Sequence, residues 1–171
     1  KMFDPFCGVG TIPFEAALNG RRALGMDISM MAYYISQAKV GSTDIEQSLK
    51  YLNKLDGFIK TGNLPEEYVK RHANFGLNKS LKDYYQNTFR EILLSRMFFS
   101  SHVPQNPSEM VVLSSMLHIL HGNRPYALSR KSHPITPYAP TGEFVYKSVS
   151  EKLTDKVLKY YRESIPDSFE A

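Results

Sequence analysis

The stretch FDPFCGVGTIPFEAALNG, residues 3–20, restricts the fold more than any other part of the chain. A short apolar run over residues 1–6 stops at an acid and a proline. Gly8 and Gly10 then flank Val9, and a helix-forming segment starts at once. The pattern predicts a buried strand over 1–6, a tight bend, and a helix over Thr11–Asn19 with Ile12, Glu15 and Ala16 on successive turns. Pro13 is tolerated in the first turn, and Gly20 is placed to end the helix. Arg22-Ala23-Leu24-Gly25-Met26-Asp27 reads as a second short strand that again ends in an acid. Ser29 is a cap for a further helix reaching Lys39, stopped by Gly41. This β-α-β-α order predicts an α/β chain, the start of a Rossmann-like doubly wound sheet.

A glycine bend between strand and helix lets backbone N–H groups approach a ligand, because no side chain intervenes and positive φ is open to glycine. In a dinucleotide site that geometry holds a pyrophosphate, with the fingerprint G-x-G-x-x-G. Here Thr11-Ile12-Pro13 follows Gly10, so the third glycine is missing. Asp4, four residues before Gly8, would repel a pyrophosphate but suits a cation such as an α-ammonium. Asp27, 17 residues after Gly10, stands where an acid accepts from both hydroxyls of a ribose, and Ile28 beside it can pack on an adenine face. An ammonium, a ribose and a purine together describe S-adenosylmethionine better than a nicotinamide dinucleotide.

Asp4-Pro5-Phe6-Cys7-Gly8-Val9-Gly10-Thr11 resembles the first cofactor motif, D-P-F-C-G-S-G-T, of S-adenosylmethionine-dependent methyltransferases that modify exocyclic amino groups of nucleic-acid bases. Val9 replaces the serine of many members. The run from Ser129 to Phe144, with Tyr146-Lys147-Ser148, is similar to a segment of a group of DNA amino-methyltransferases. The resemblance implies that Asp4 holds the methionine end of the cofactor, that the backbone from Cys7 to Thr11 cradles it, and that Asp27 binds the ribose. It further implies DNA as partner and methyl transfer to adenine or cytosine in a base turned out of the duplex. The family's catalytic motif, an Asp, Asn or Ser followed by Pro-Pro and Tyr or Phe, has no counterpart, since the chain contains no Pro-Pro dipeptide. The expectation is a cofactor-binding fragment whose catalytic part lies downstream, inactive alone.

Beyond residue 42 the pattern turns helical. Thr43-Asp44-Ile45-Glu46 reads as a capping box ahead of Leu49, Leu52, Leu55 and Ile59, with Gly62 as the stop. A helix over about Ser80–Phe99 carries Leu81, Tyr85, Phe89, Ile92 and Leu93. Asn106-Pro107-Ser108-Glu109 opens another with Met110, Leu113, Leu117 and Leu120, ending at Gly122. Residues 123–143 hold four prolines and no periodicity, which predicts a long loop. A last helix is predicted over Phe144–Tyr161 from Val145, Val149, Leu153 and Val157. The expected division is a cofactor-binding part over 1–42, a helical insertion over 43–122, and a loop and helix over 123–171.

A hydrophobic share of 42% with 22% charged residues is that of an ordinary globular chain. No apolar run approaches the roughly 18 residues that would suggest a membrane span, and no secretory leader is legible, so a cytoplasmic location is expected. Cys7 is the sole cysteine, which excludes an internal disulfide framework and a cysteine zinc site. Its environment predicts a small space-filler rather than a nucleophile. The net charge of +4 suits an anionic partner. Arg124, Arg130, Lys131 and His133, interleaved with Tyr126 and Tyr138, are candidate nucleic-acid contacts, although a solvated loop has the same composition. His118 and His121 share a helix, but without a third ligand a core or helix-end role is expected and no metal site. Two rivals stand beside the DNA enzyme. One is an RNA methyltransferase, since guanine-modifying tRNA and rRNA enzymes carry a similar glycine motif and a helix start like Glu15-Ala16-Ala17. The other is a non-catalytic module in which the bend is structural. A dehydrogenase is more distant.

Overall fold

A computed structural model describes residues 1–72, 84–131 and 141–163. Its elements run β1 (Met2–Asp4), α1 (Thr11–Leu18), β2 (Ala23–Gly25), α2 (Met30–Val40), α3 (Ile45–Thr61), α4 (Glu66–His72), α5 (Gln86–Ser101), α6 (Pro107–Leu120) and α7 (Val149–Glu163). The expected β-α-β-α start is present. Strands β1 and β2 pair in parallel with Met2 opposite Ala23, Phe3 opposite Leu24 and Asp4 opposite Gly25. Among the described residues the sheet has these two strands only.

The expectation of buried strands is corrected. Phe3 and Leu24 keep 59% and 62% of their surface exposed. Parallel sheets are normally covered on both faces, and two strands of three residues each offer little for α1 and α2 to cover.

Helix α1 ends in a Schellman motif. Gly20, at φ 62°, donates to the Ala17 carbonyl at 2.9 Å, and Arg21 donates to Ala16 at 2.8 Å. Ser29 Oγ accepts the Ala32 N–H at the start of α2, as its sequence position predicts. The capping box before α3 is shifted by one residue, because Asp44 Oδ1 accepts the Gln47 N–H at 2.7 Å. Asp44 is the stronger acceptor and so displaces Thr43 from that role. Asn106 caps α6 as expected, accepting the Glu109 N–H at 3.0 Å, while the Glu109 carboxylate reaches back to Gln105 N.

Helix α7 starts five residues later than the spacing of its valines predicts, and Val145 lies exposed ahead of it. Tertiary bonds win over local periodicity here. Thr88 Oγ1 lies 2.8 Å from the Lys147 carbonyl and 2.9 Å from its N–H, while Glu91 accepts the Val149 N–H at 2.7 Å. Backbone bound in this way at 147 is unavailable to a helical ladder. Tyr85, expected within α5, is the extended residue preceding it. Leu81 lies outside the described residues. The sequence pattern missed α4 altogether; it is one short polar helix with no buried residue, so no apolar stripe marks it.

The chain divides into two compact units. One comprises Lys1–Tyr51, Pro104–Ser114 and the chain from Val157. Its core gathers Ala38, Met110 and Val111 with Tyr34, Tyr160 and Tyr161. Ser108 ties α6 to the start of α3: its Oγ accepts the Asp44 N–H at 2.8 Å and its carbonyl accepts the Ser48 hydroxyl at 2.6 Å. The other comprises Leu52–Val103 and Ser115–Lys156. There Leu55, Leu93, Leu94, Phe98, Ile119, Leu128 and Leu153 are almost wholly buried, each worth roughly 1.5–3 kcal/mol against exposure. Among the described residues no helix is long and apolar enough to cross a membrane.

Candidate functional site

The parallel register brings the ends of β1 and β2 together. Met26 N donates to the Asp4 carbonyl and Cys7 N to the Met26 carbonyl, both at 2.9 Å, so the chain after Asp4 and the chain before Asp27 run side by side. The Asp27 carboxylate spans this gap. Its Oδ2 accepts the Gly8 N–H at 2.9 Å and its Oδ1 the Ser29 N–H at 2.8 Å. Asp4 Oδ1 accepts the Phe6 N–H at 3.1 Å.

The two glycines serve different purposes. Both have positive φ, 49° at Gly8 and 75° at Gly10. A Cβ at Gly8 would meet nothing within 4 Å, whereas one at Gly10 would lie 2.6 Å from Ser36 Oγ. Gly8 therefore faces open space, and Gly10 is a close-packing position against α2. Gly25 is another such position, since its Cβ would lie 2.9 Å from Cys7 Sγ. The half-buried Cys7 thiol fills that space, as its expected role requires.

Helix α2 holds the bend by its carbonyl side. Ser36 Oγ donates to Gly8 O at 3.2 Å, and Lys39 Nζ donates to Val9 O at 2.8 Å. Sequence reasoning missed both residues. Their offset of three along the helix puts them on one face, but nothing in their identity announces a partner in the bend.

The donor inventory narrows what the backbone can offer a ligand. The N–H groups of Cys7, Gly8 and Gly10 are spent on Met26 O, Asp27 and Cys7 O. Those of Val9, Thr11 and Ile12 have no partner among the described residues, the last two because a helix leaves its first donors unpaired. A carboxylate offers about four lone-pair sites. Asp27 uses two of its own, and Asp4 Oδ2 is without a partner among the described residues. Pro5, Phe6 and Ile28 are exposed at the rim, Ile28 completely so.

The loop candidates that are described belong to the other compact unit. Arg124 lies in the loop four residues past the end of α6. Arg130 is half-buried, donating from Nε to Gly142 O at 2.8 Å with its guanidinium over the Phe144 ring, so it secures its own loop. Lys131 is exposed, and its carbonyl accepts the N–H groups of Thr141 and Gly142. His133 and Tyr138 fall outside the described residues. His118 is exposed near the end of α6 rather than in a core.

Residues 1–81 match the family model UPF0020, RMKL-like, methyltransferase domain. The glycine bend, both acids and α2 fall inside the matched region, so this part of the chain is similar to a methyltransferase domain. No curated protein and no solved structure matches the chain.

Proposed function

We propose that this chain carries the cofactor-binding part of an S-adenosylmethionine-dependent methyltransferase acting on exocyclic amino groups of adenine or cytosine in DNA. The observation that carries the reading is the juxtaposition of Asp4, which ends β1, and Asp27, two residues past β2, around a bend whose Gly8 side is open. The residues fit the cofactor. Asp4 Oδ2 is an acceptor for the α-ammonium, the unpaired N–H groups of Val9, Thr11 and Ile12 suit the carboxylate, and the remaining Asp27 lone pairs suit the ribose hydroxyls. Ile28 offers apolar surface to the purine.

Bound there, the cofactor supplies an already activated methyl group on a sulfonium. The chain's part is to bind and orient, with α2 holding the Gly8 and Val9 carbonyls so that the bend is set before the ligand arrives. In the family that the glycine motif resembles, a Pro-Pro-aromatic segment accepts the target amino group; these 171 residues lack one, so on this reading the chain alone binds cofactor and transfers no methyl group. Tritiated methyl transfer to duplex DNA tests this: incorporation by the isolated chain contradicts it, whereas binding of S-adenosylhomocysteine without incorporation agrees with it.

The RMKL-like match favours a second reading, since such domains are commonly of the RNA-modifying type. Competition between duplex DNA and tRNA for the chain, with S-adenosylhomocysteine present, separates the two. Stronger retention of tRNA favours the RNA enzyme.

A further inference from the structure

The end of α6 holds a second constellation that cofactor binding does not use. Leu117, His118, His121, Gly122, Asn123 and Arg124 line an open surface cavity of about 410 Å³. Arg124 Nη1 lies 3.0 Å from His118 Nε2 and 2.6 Å from the Tyr126 hydroxyl. Arginine can only donate, so His118 accepts at Nε2 and carries its proton on Nδ1. The His118 ring stacks on Tyr126 at 5.2 Å. The Arg124 guanidinium lies 5.9 Å from the Tyr126 ring centre and the Lys156 ammonium 5.6 Å.

One aromatic residue thus has two cations beside it, Arg124 bonded to its hydroxyl and Lys156 near its ring. Neither has a carboxylate within ion-pair distance among the described residues, where the ion pairs are Lys60–Asp56, Lys70–Glu66 and Lys159–Glu163. Both contacts of Arg124 come from Nη1, which leaves Nε and Nη2 without a partner among the described residues. Arg124 lines the cavity with guanidinium donors unspent, and Lys156 adds a second positive charge beside the same tyrosine ring; such a pair is compensated by an anion that accepts several hydrogen bonds. Phosphate has that geometry.

We propose that this cavity binds a phosphate of a nucleic-acid strand, with Arg124 as the hydrogen-bonding anchor, Lys156 as the second charge, and His118 and Tyr126 as the residues that position Arg124. The proposal rests on residues of one compact unit and does not require the glycine bend to hold a cofactor.

Fluorescence anisotropy of a labelled single-stranded 12-mer, titrated with the whole chain over a salt series, tests it. Removing one phosphate interaction with a single strand lowers the slope of log affinity against log salt by about 0.7. Arg124→Ala and Lys156→Ala are expected to lower the slope by about that amount and to weaken binding about fivefold or more at low salt. Lys54→Ala, an exposed lysine on α3, should leave both unchanged. Arg124→Lys, which keeps charge and volume, is expected to keep the slope and bind more weakly, and serves if Arg124→Ala does not fold. Displacement of the labelled strand should need far less unlabelled strand than inorganic phosphate or a mononucleotide. Identical slopes in wild type, Arg124→Ala and Lys156→Ala, absence of strand binding, or equal displacement by inorganic phosphate would each overturn the proposal. Parallel calorimetry with S-adenosylhomocysteine separates the outcomes, since cofactor binding without strand binding removes this proposal alone, and the reverse removes only the reading of the bend.

Discussion

Asp27 Oδ2 accepts the Gly8 N–H at 2.9 Å across nineteen residues of sequence. The same carboxylate accepts Ser29 N, so a single side chain sets both the glycine bend and the approach to α2. Asp27→Asn keeps the shape but must turn an amide N–H₂ towards one of those two backbone donors. Amide hydrogen exchange should therefore speed up by about tenfold at Gly8 or Ser29, the equivalent of about 1.4 kcal/mol of local opening. Unchanged exchange at both amides would mean that the bend is held without the carboxylate.

Gly10 and Gly20 both sit at positive φ, yet they differ in space. A Cβ at Gly20 meets nothing within 4 Å, and one at Gly10 collides with Ser36. Gly20→Ala should cost only the left-handed backbone penalty, about 1–2 kcal/mol. Gly10→Ala should cost more, and part of the excess should return in Gly10→Ala/Ser36→Gly, where the obstructing hydroxyl is gone. Denaturant midpoints of wild type, the two single variants at 10 and 36 and the double variant give the coupling energy. Strict additivity would contradict the contact.

Cys7 is a packing residue. Cys7→Ala should keep S-adenosylhomocysteine affinity within about threefold, because the Cys7 backbone bond to Met26 is unaffected by the side chain. Gly25→Ala should instead disturb the bend through the thiol it meets and weaken binding by about tenfold. Calorimetry on both variants checks the contrast.

Much of the site's frame was legible in the sequence because it follows from local chemistry. Two acids, two glycines and a cap at fixed offsets leave few ways to fold a strand, a bend and a helix. Ser36 and Lys39 were not legible, since their work is to meet the Gly8 and Val9 carbonyls across tertiary space, and a serine or lysine on a helix has many commoner uses. The late start of α7 has the same cause: Thr88 and Glu91 bind the backbone at Lys147 and Val149 from another helix. Exposure of Phe3 and Leu24 was also hidden, because an apolar run reports a preference for burial and not what is present to cover it.

The Tyr146 hydroxyl donates to Glu91 Oε1 at 2.6 Å. That bond, aided by partial burial, raises the phenol above its usual range. A group whose folded pKa is raised adds stability that is complete below the unfolded value, about 10, and is lost as pH rises through the folded value. The stability difference between wild type and Tyr146→Phe should be constant up to about pH 9 and shrink above about pH 10. Urea midpoints across this range check it, and a difference that grows at alkaline pH would contradict the bond.

The most direct measurement is isothermal calorimetry of S-adenosylhomocysteine with wild type, Asp4→Asn and Asp27→Ala. Saturable one-to-one binding by wild type, weakened about tenfold or more by either substitution in chains that remain folded by circular dichroism, is the predicted result. Absence of binding by wild type, or equal affinity in all three proteins, would contradict the assignment of this bend to the methyl donor.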